Sequence, residues 1–152
     1  MENIATHEAP VWGQKADFLI RADLAGHGLP GWCEQLWAHQ IEDFAFEICC
    51  IPFFIYGIAL GDVVETKADF TIDRVLEKSG HRTLRIAVAN QEEQDELHVV
   101  LHDWAASTGL LYEWQAPGYL AVDLPPGTRV DEITPALDTL IKTGRVSTEL
   151  DE

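Results

Sequence analysis

The stretch Thr83-Leu-Arg-Ile-Ala-Val-Ala-Asn-Gln-Glu-Glu-Gln-Asp-Glu-Leu-His-Val-Val-Leu-His-Asp-Trp104 decides the fold. Its opening residues alternate, with Leu84, Ile86 and Val88 on one face, which is the period of a strand packed on one side. At Asn90 the period changes. Asn90 is a helix N-cap residue and Glu93 stands three positions on, as in a capping box. Leu97, Val100, Leu101, Trp104 and Thr108 then recur at helical spacing until Gly109 stops the helix. Onward from there, Leu110 to Trp114 and Tyr119 to Leu124 predict a hairpin turning at Ala116-Pro-Gly118, and Pro125-Pro-Gly127 ends it. A second helix is predicted with Ile133, Leu137, Leu140 and Ile141 inward and Pro135 in its first turn, where a missing N–H costs least. Gly144 ends it, and the tail Glu149-Leu-Asp-Glu152 is expected to fray. Residues 80–146 therefore read β-α-β-β-α, two helices on one face of an antiparallel sheet, a ferredoxin-like arrangement.

In the other direction the texture changes to short strands. In Phe18-Leu-Ile-Arg-Ala-Asp-Leu24 the residues Phe18, Ile20, Ala22 and Leu24 share a face, and Gly26-His-Gly-Leu-Pro-Gly31 is a loop. Glu34–Gln40 and Phe44–Cys50 predict a hairpin, with Phe44, Phe46, Ile48 and Cys50 inward. Ile48 to Leu60 reads as a buried strand followed by a turn, and Asp62–Thr66 and Phe70–Glu77 as two further strands. Residues 11–79 are thus mainly β, a small curved antiparallel sheet or partial barrel. The whole chain, 1–152, reads as a single compact α+β unit, with no repeat, low-complexity segment or linker.

Charge limits the functions open to it. With 26 acidic and 10 basic residues, the formal net charge is −16. Such a surface repels phosphate backbones and anionic lipid headgroups, and it speeds encounter with basic partners. The expected partner is therefore a protein rather than nucleic acid or a membrane. The start lacks a signal-peptide pattern, and Pro52 and Gly57 interrupt the most apolar run, so the expectation is a cytoplasmic protein. Cys33, Cys49 and Cys50 are odd in number and lack Cys-x-x-Cys spacing, which predicts free thiols and no structural zinc.

Four segments in combination resemble one family. They are Glu34-Gln-Leu-Trp-Ala38, Ile51-Pro-Phe-Phe-Ile-Tyr-Gly-Ile-Ala-Leu-Gly-Asp-Val-Val-Glu65, Ser79-Gly-His-Arg-Thr-Leu-Arg85 and Leu120-Ala-Val-Asp-Leu-Pro125. The resemblance is to the bacterial domain-of-unknown-function family catalogued as forty-two sixty-five, over nearly the whole chain after Trp12. It implies no activity. Small acidic bacterial families without motifs often prove to be immunity proteins that neutralise a toxin, which is an analogy between classes.

The candidate side chains form two sets. For partner binding, Trp32 stands in a Gly/Pro loop, where an exposed Trp can anchor an interface. Glu92, Asp95, Glu96 and Asp103 fall on the helix face away from the apolar stripe, with no lysine at i+4. The alternative set is an enzyme or small-anion site with His81 as acid or base, Asp62 orienting it, and Arg82 and Arg85 holding the anion. Against it stand plainer readings: Gly61-Asp62 as a turn entering a strand, and Arg85 on the outward face of its strand. His98 and His102 are four apart on a helix, but Val99 stands where the zinc-protease pattern needs Glu, so no metal is assigned. No cofactor and no catalytic residue follow from these patterns. The primary expectation is an acidic protein-binding module, an immunity or antitoxin-type inhibitor occluding a basic toxin domain such as a nuclease. Self-association through an open sheet edge, giving a homo-oligomeric regulatory subunit, is the other alternative.

Overall fold

The computed structural model describes residues 3–152. The first sheet contains β1 (Asn3–Ala5), β2 (Phe18–Asp23), β3 (Trp32–Glu42), β4 (Ala45–Ile48), β5 (Val63–Thr66) and β6 (Ile72–Glu77). The long β3 is its spine. Along one edge it runs antiparallel to β2, from Phe18 opposite Ala38 to Asp23 opposite Cys33. Along the other it runs parallel to β1 and then antiparallel to β4, which continues through β5 to β6. The alternation read from the sequence sets the inward face: Ile20, Ala22, Leu36, Ala38, Phe46, Ile48 and Val64 form one core with Leu24, Ile55 and Ile58. The sheet is open rather than a partial barrel, because β2 and β6 are not paired strands, and it is mixed because the short β1 runs parallel to β3. Between β2 and the turn before β6, one isolated bridge joins Arg21 and Thr71.

The second sheet contains β7 (Arg82–Val88), β8 (Tyr112–Ala116), β9 (Tyr119–Leu124) and β10 (Val146–Asp151), in the order β10-β7-β9-β8, with every neighbouring pair antiparallel. One face, formed by Leu84, Ile86, Leu120, Val122 and Leu124, is covered by α1 (Gln94–Thr108) and by the short helices α2 (Val130–Ile133) and α3 (Asp138–Lys142). Its other face turns toward the first half. There Ala121 packs with Ile51 and Phe53, and Arg85 reaches the carbonyls of Pro52 and Ile55. The second sheet is therefore buried on both sides, between its helices and the loop of residues 49–62.

Several sequence expectations are corrected. Ile48 is the end of β4, and the apolar run after it is a buried loop rather than a strand. Pro52 cannot donate to a ladder, and carboxylates from elsewhere take the loop's N–H groups instead. Phe44 is not inward: it makes the β3–β4 turn at φ 66° and is half-exposed beside Phe70. Val100 is exposed, and Ala105 takes the buried position. Asn90 does accept from the Glu92 N–H, but Glu93 closes no capping box, because its carboxylate is held by Arg145. Instead of fraying, residues 146–151 form β10, with Val146 opposite Val88 and Asp151 opposite Thr83. The second predicted helix is broken into α2, a tight turn at Pro135–Leu137, and α3.

Candidate functional site

The loop of residues 49–62 joins the two halves, and three buried carboxylates hold its shape. Glu34 lies on β3 in phase with Leu36 and Ala38, so its side chain points inward. Its oxygens accept from the N–H groups of Phe53 (2.7 Å), Phe54 (2.9 Å) and Ile55 (3.0 Å). Glu113 on β8 accepts from the Ile51 N–H at 2.6 Å. His7 lies between the two: Nε2 donates to Glu34 at 2.6 Å and Nδ1 to Glu113 at 2.7 Å, while the ring stacks on Phe53 at 4.1 Å. Ionised carboxylates only accept, so donation from both ring nitrogens requires the imidazolium. Burial alone disfavours that charge; contacts with Cys50, Glu113 and Glu34 reverse the effect and push the His7 pKa up to about 12. Burial likewise favours neutral Glu34, and His7 with the loop N–H groups overrides it, lowering the pKa. Burial raises the Cys50 thiol against the lowering effect of His7. No local pattern announces this triad. The one available signal was a glutamate at the inward phase of β3.

The third carboxylate is Asp62. It accepts from Ala59 N–H (2.9 Å), Ser79 N–H (2.8 Å) and Lys78 Nζ (2.8 Å). Asp62 therefore ties the loop end to the β6–β7 turn, as the plainer reading expects, and does not orient His81. That role falls to Asp123 on β9, buried and 2.8 Å from His81 Nδ1. Burial raises the Asp123 pKa against the lowering effect of His81. Ser79, the neighbouring hydroxyl, donates to the Leu60 carbonyl instead of facing the imidazole. Ser79 is therefore not aligned as a nucleophile for the His81–Asp123 pair.

Arg85 is not on an outward face. Its Nε and Nη2 donate to the carbonyls of Pro52 and Ile55, its Nη1 lies 3.3 Å from Asp151, and its plane lies over Tyr56 at 5.1 Å. Arg82 donates to the Thr128 carbonyl and reaches Glu152. The two arginines of the anion-site alternative are thus engaged by backbone carbonyls and carboxylates and converge on no common point. Other cations are held in the same way: Lys15 by Glu47, Arg74 by Glu65, Lys78 by Asp62, Arg129 by Asp131, and Arg145 by Glu93 and Glu96.

The acidic face of α1 is exposed as expected. Glu92, Asp95 and Asp103 carry no cationic partner among the described residues, whereas Glu96 lies 3.5 Å from Arg145. Val99 and Val100, 58% and 43% exposed, stand among these acids, and Asp95, Val99 and Asp103 follow one another at four-residue spacing. Trp32 is also exposed, at 38%, but it opens β3, on the side of the second sheet opposite to α1. Trp32 and the α1 acids therefore do not share a face. His98 packs on the Trp114 ring at 4.2 Å, and among the described residues no group of three or more His, Cys, Asp or Glu side chains is placed to hold a metal. The three cysteines are buried and free. No described helix is long and apolar enough to cross a membrane.

The profile of a family described as "Domain of unknown function (DUF4265)" matches residues 34–148. No curated protein matches the chain. Among solved structures it is similar to one described as a novel crystal structure of a hypothetical protein from Neisseria gonorrhoeae. The TM-score is 0.62 and the identity 22%, over 77% of this chain and 81% of that one. At that identity the likeness is one of fold.

Proposed function

The chain belongs to the DUF4265 family of domains of unknown function, and from its own surface we propose that it is an acidic protein-binding module that captures a basic protein. The observation that carries this reading is the outer face of α1, where Asp95 and Asp103 flank the exposed Val99 and Val100, with Glu92 in the turn just before the helix, and no described cation pairs with these three acids. An aliphatic centre inside a charged rim matches the layout of protein interfaces, and unpaired carboxylates steer a cationic partner into contact. Several solvent-facing cations, Lys15, Arg74, Arg129 and Arg145, are matched to carboxylates, which supports the same sign. In the finer reading the module is an immunity or antitoxin-type inhibitor, and the captured protein is a toxin domain such as a nuclease whose basic cleft α1 occludes. The strand order β10-β7-β9-β8, with helices after its first and third strands in the chain, supports reading residues 82–151 as a ferredoxin-like scaffold presenting that helix.

The test is binding to a basic toxin-type domain, sought among the products of adjacent genes. Raising salt from about 0.05 to about 0.5 M is expected to weaken affinity by at least roughly tenfold. The triple variant Glu92→Lys, Asp95→Lys, Asp103→Lys is expected to abolish capture with an unchanged melting temperature. Salt-independent binding, or capture intact in the triple variant, removes the proposal.

A further inference from the structure

We propose that the cleft between β10 and the Tyr56 loop receives a guanidinium or ammonium group, the side chain of an arginine or lysine on an extended segment of the partner protein. This rests on the reading of the molecule as a receptor for a basic protein, and it adds a place where one basic side chain is held.

The cleft has a volume of about 540 Å³, ample for such a side chain. Its walls are aromatic. Tyr56 is 45% exposed and stacks on His27 at 5.7 Å, while Phe54 and Tyr119 lie 5.3 Å apart on the other side. Electron-rich ring faces attract cations, and Arg85 already covers one face of Tyr56 at 5.1 Å, so the faces of Phe54 and Tyr119 are the ones left to an incoming cation. The acid is Glu149 of β10, whose side chain is half-exposed. One of its oxygens accepts from the Tyr56 hydroxyl at 3.1 Å; the other lies 3.8 Å from Arg85 Nη1, beyond hydrogen-bond distance, and retains free lone pairs.

Arg85 forms the floor and at first sight suggests the opposite ligand, an anion. Its accounting excludes that. The guanidinium is almost wholly buried, and its donors go to Pro52, Ile55 and Asp151. Asp151, behind the lining, pairs with Arg85 at 3.3 Å, which leaves the Glu149 carboxylate as the excess charge on the wall of the cleft. Its negative lining also continues past Tyr56. A second hollow of about 250 Å³ shares His27 and Tyr56 with the first and is bordered by Asp23, Asp73 and Arg74, the last of which is paired with Glu65. An extended basic segment can therefore cross Tyr56 with carboxylates on both sides.

The experiment titrates the isotope-labelled full chain with a blocked glycine-rich pentapeptide bearing one central arginine. Its citrulline counterpart serves as neutral isostere and inorganic phosphate as the anion. Amide shifts are expected at Gly28, Tyr56, Thr148 and Glu149 with the arginine peptide. Affinity should fall by roughly fivefold or more with citrulline and in Glu149→Gln, and phosphate should leave these amides unmoved. Glu149 is exposed, so Glu149→Gln is expected to keep a folded spectrum. Phosphate moving the same amides, or wild-type affinity in both Glu149→Gln and Tyr56→Ala, overturns the assignment. Capture of a basic protein that is unchanged in Glu149→Gln also overturns it while leaving the acidic-receptor reading in place. Arginine-specific shifts in the cleft without capture of any basic protein support it and count against that reading.

Discussion

Both nitrogens of His7 end on carboxylates in a space without solvent, and single substitutions there carry consequences far larger than at the surface. Removing one member of a buried ionic cluster leaves the others charged and unmatched, which costs about 3–5 kcal/mol. His7→Ala is therefore expected to lower stability by about 3–5 kcal/mol in urea unfolding; a loss under about 1 kcal/mol would show that the triad is not the fastening it looks like. Its pH dependence has a definite sign. The His7 pKa is raised from 6.5 in the unfolded chain to about 12, so its contribution is complete below pH 6.5 and is lost as pH rises toward 12. For Glu34 the pKa is lowered from 4.5, so that contribution is present above pH 4.5 and is lost as pH falls. The triad thus stabilises most between pH 4.5 and 6.5. Melting temperature is expected to decline from pH 6.5 to 9, with the decline flattened in His7→Gln; an identical slope in that variant contradicts the assignment.

At the scale of elements, β10 and the loop of residues 49–62 do what their sequences do not advertise. β10 carries Ser147, Thr148, Glu149 and Asp151, a poor strand by composition. It is a strand because β7 would otherwise present an open edge, and because Val146 is buried in the helix-covered core while Asp151 meets Arg85. Amide exchange decides the matter. Those amides of 146–151 that point to β7 are expected to exchange about a hundredfold or more slower than an unstructured chain, and exchange at the random-coil rate would return the segment to a frayed tail. The loop is rigid for a related reason. Gly61 has φ +83°, and a Cβ there would come within 3.1 Å of the Ser79 Cβ and 3.4 Å of Trp12. Gly61→Ala is expected to cost about 1–3 kcal/mol in the same unfolding assay, and a neutral effect would mean that the contact relaxes freely.

For the whole molecule the governing quantity is its field. The excess of acidic over basic residues is 16, and solvent-facing cations such as Lys15, Arg74, Arg129 and Arg145 are each spent on a neighbouring carboxylate. A surface with that excess of negative charge repels a phosphate backbone. The chain is expected to leave duplex DNA and single-stranded RNA unshifted in electrophoresis at about 0.15 M salt. A micromolar complex with either would overturn the sign of the proposed partner.

What the sequence determined by itself was everything that depends on short-range period and on composition. The alternation of Phe18–Leu24 and Thr83–Ala89, the helical stripe from Leu97 to Trp104, the Ala116-Pro-Gly118 turn and the negative field are properties of neighbouring residues, and they survive in the structure. The exposed acids of α1 belong to the same class, because a helix period fixes which side faces away from the core. What only tertiary structure decided was the pairing of groups distant along the chain. His7 with Glu34 and Glu113, and Arg85 with the carbonyls of the loop, are set by how the two sheets pack, and His81 with Asp123 by the β7–β9 register; packing supplies the desolvation that makes such contacts obligatory. Arg85 shows the boundary most clearly. Its strand phase placed it opposite Leu84 and Ile86 correctly, but whether that second face met water or another layer was a property of the whole fold, and it met the loop of residues 49–62.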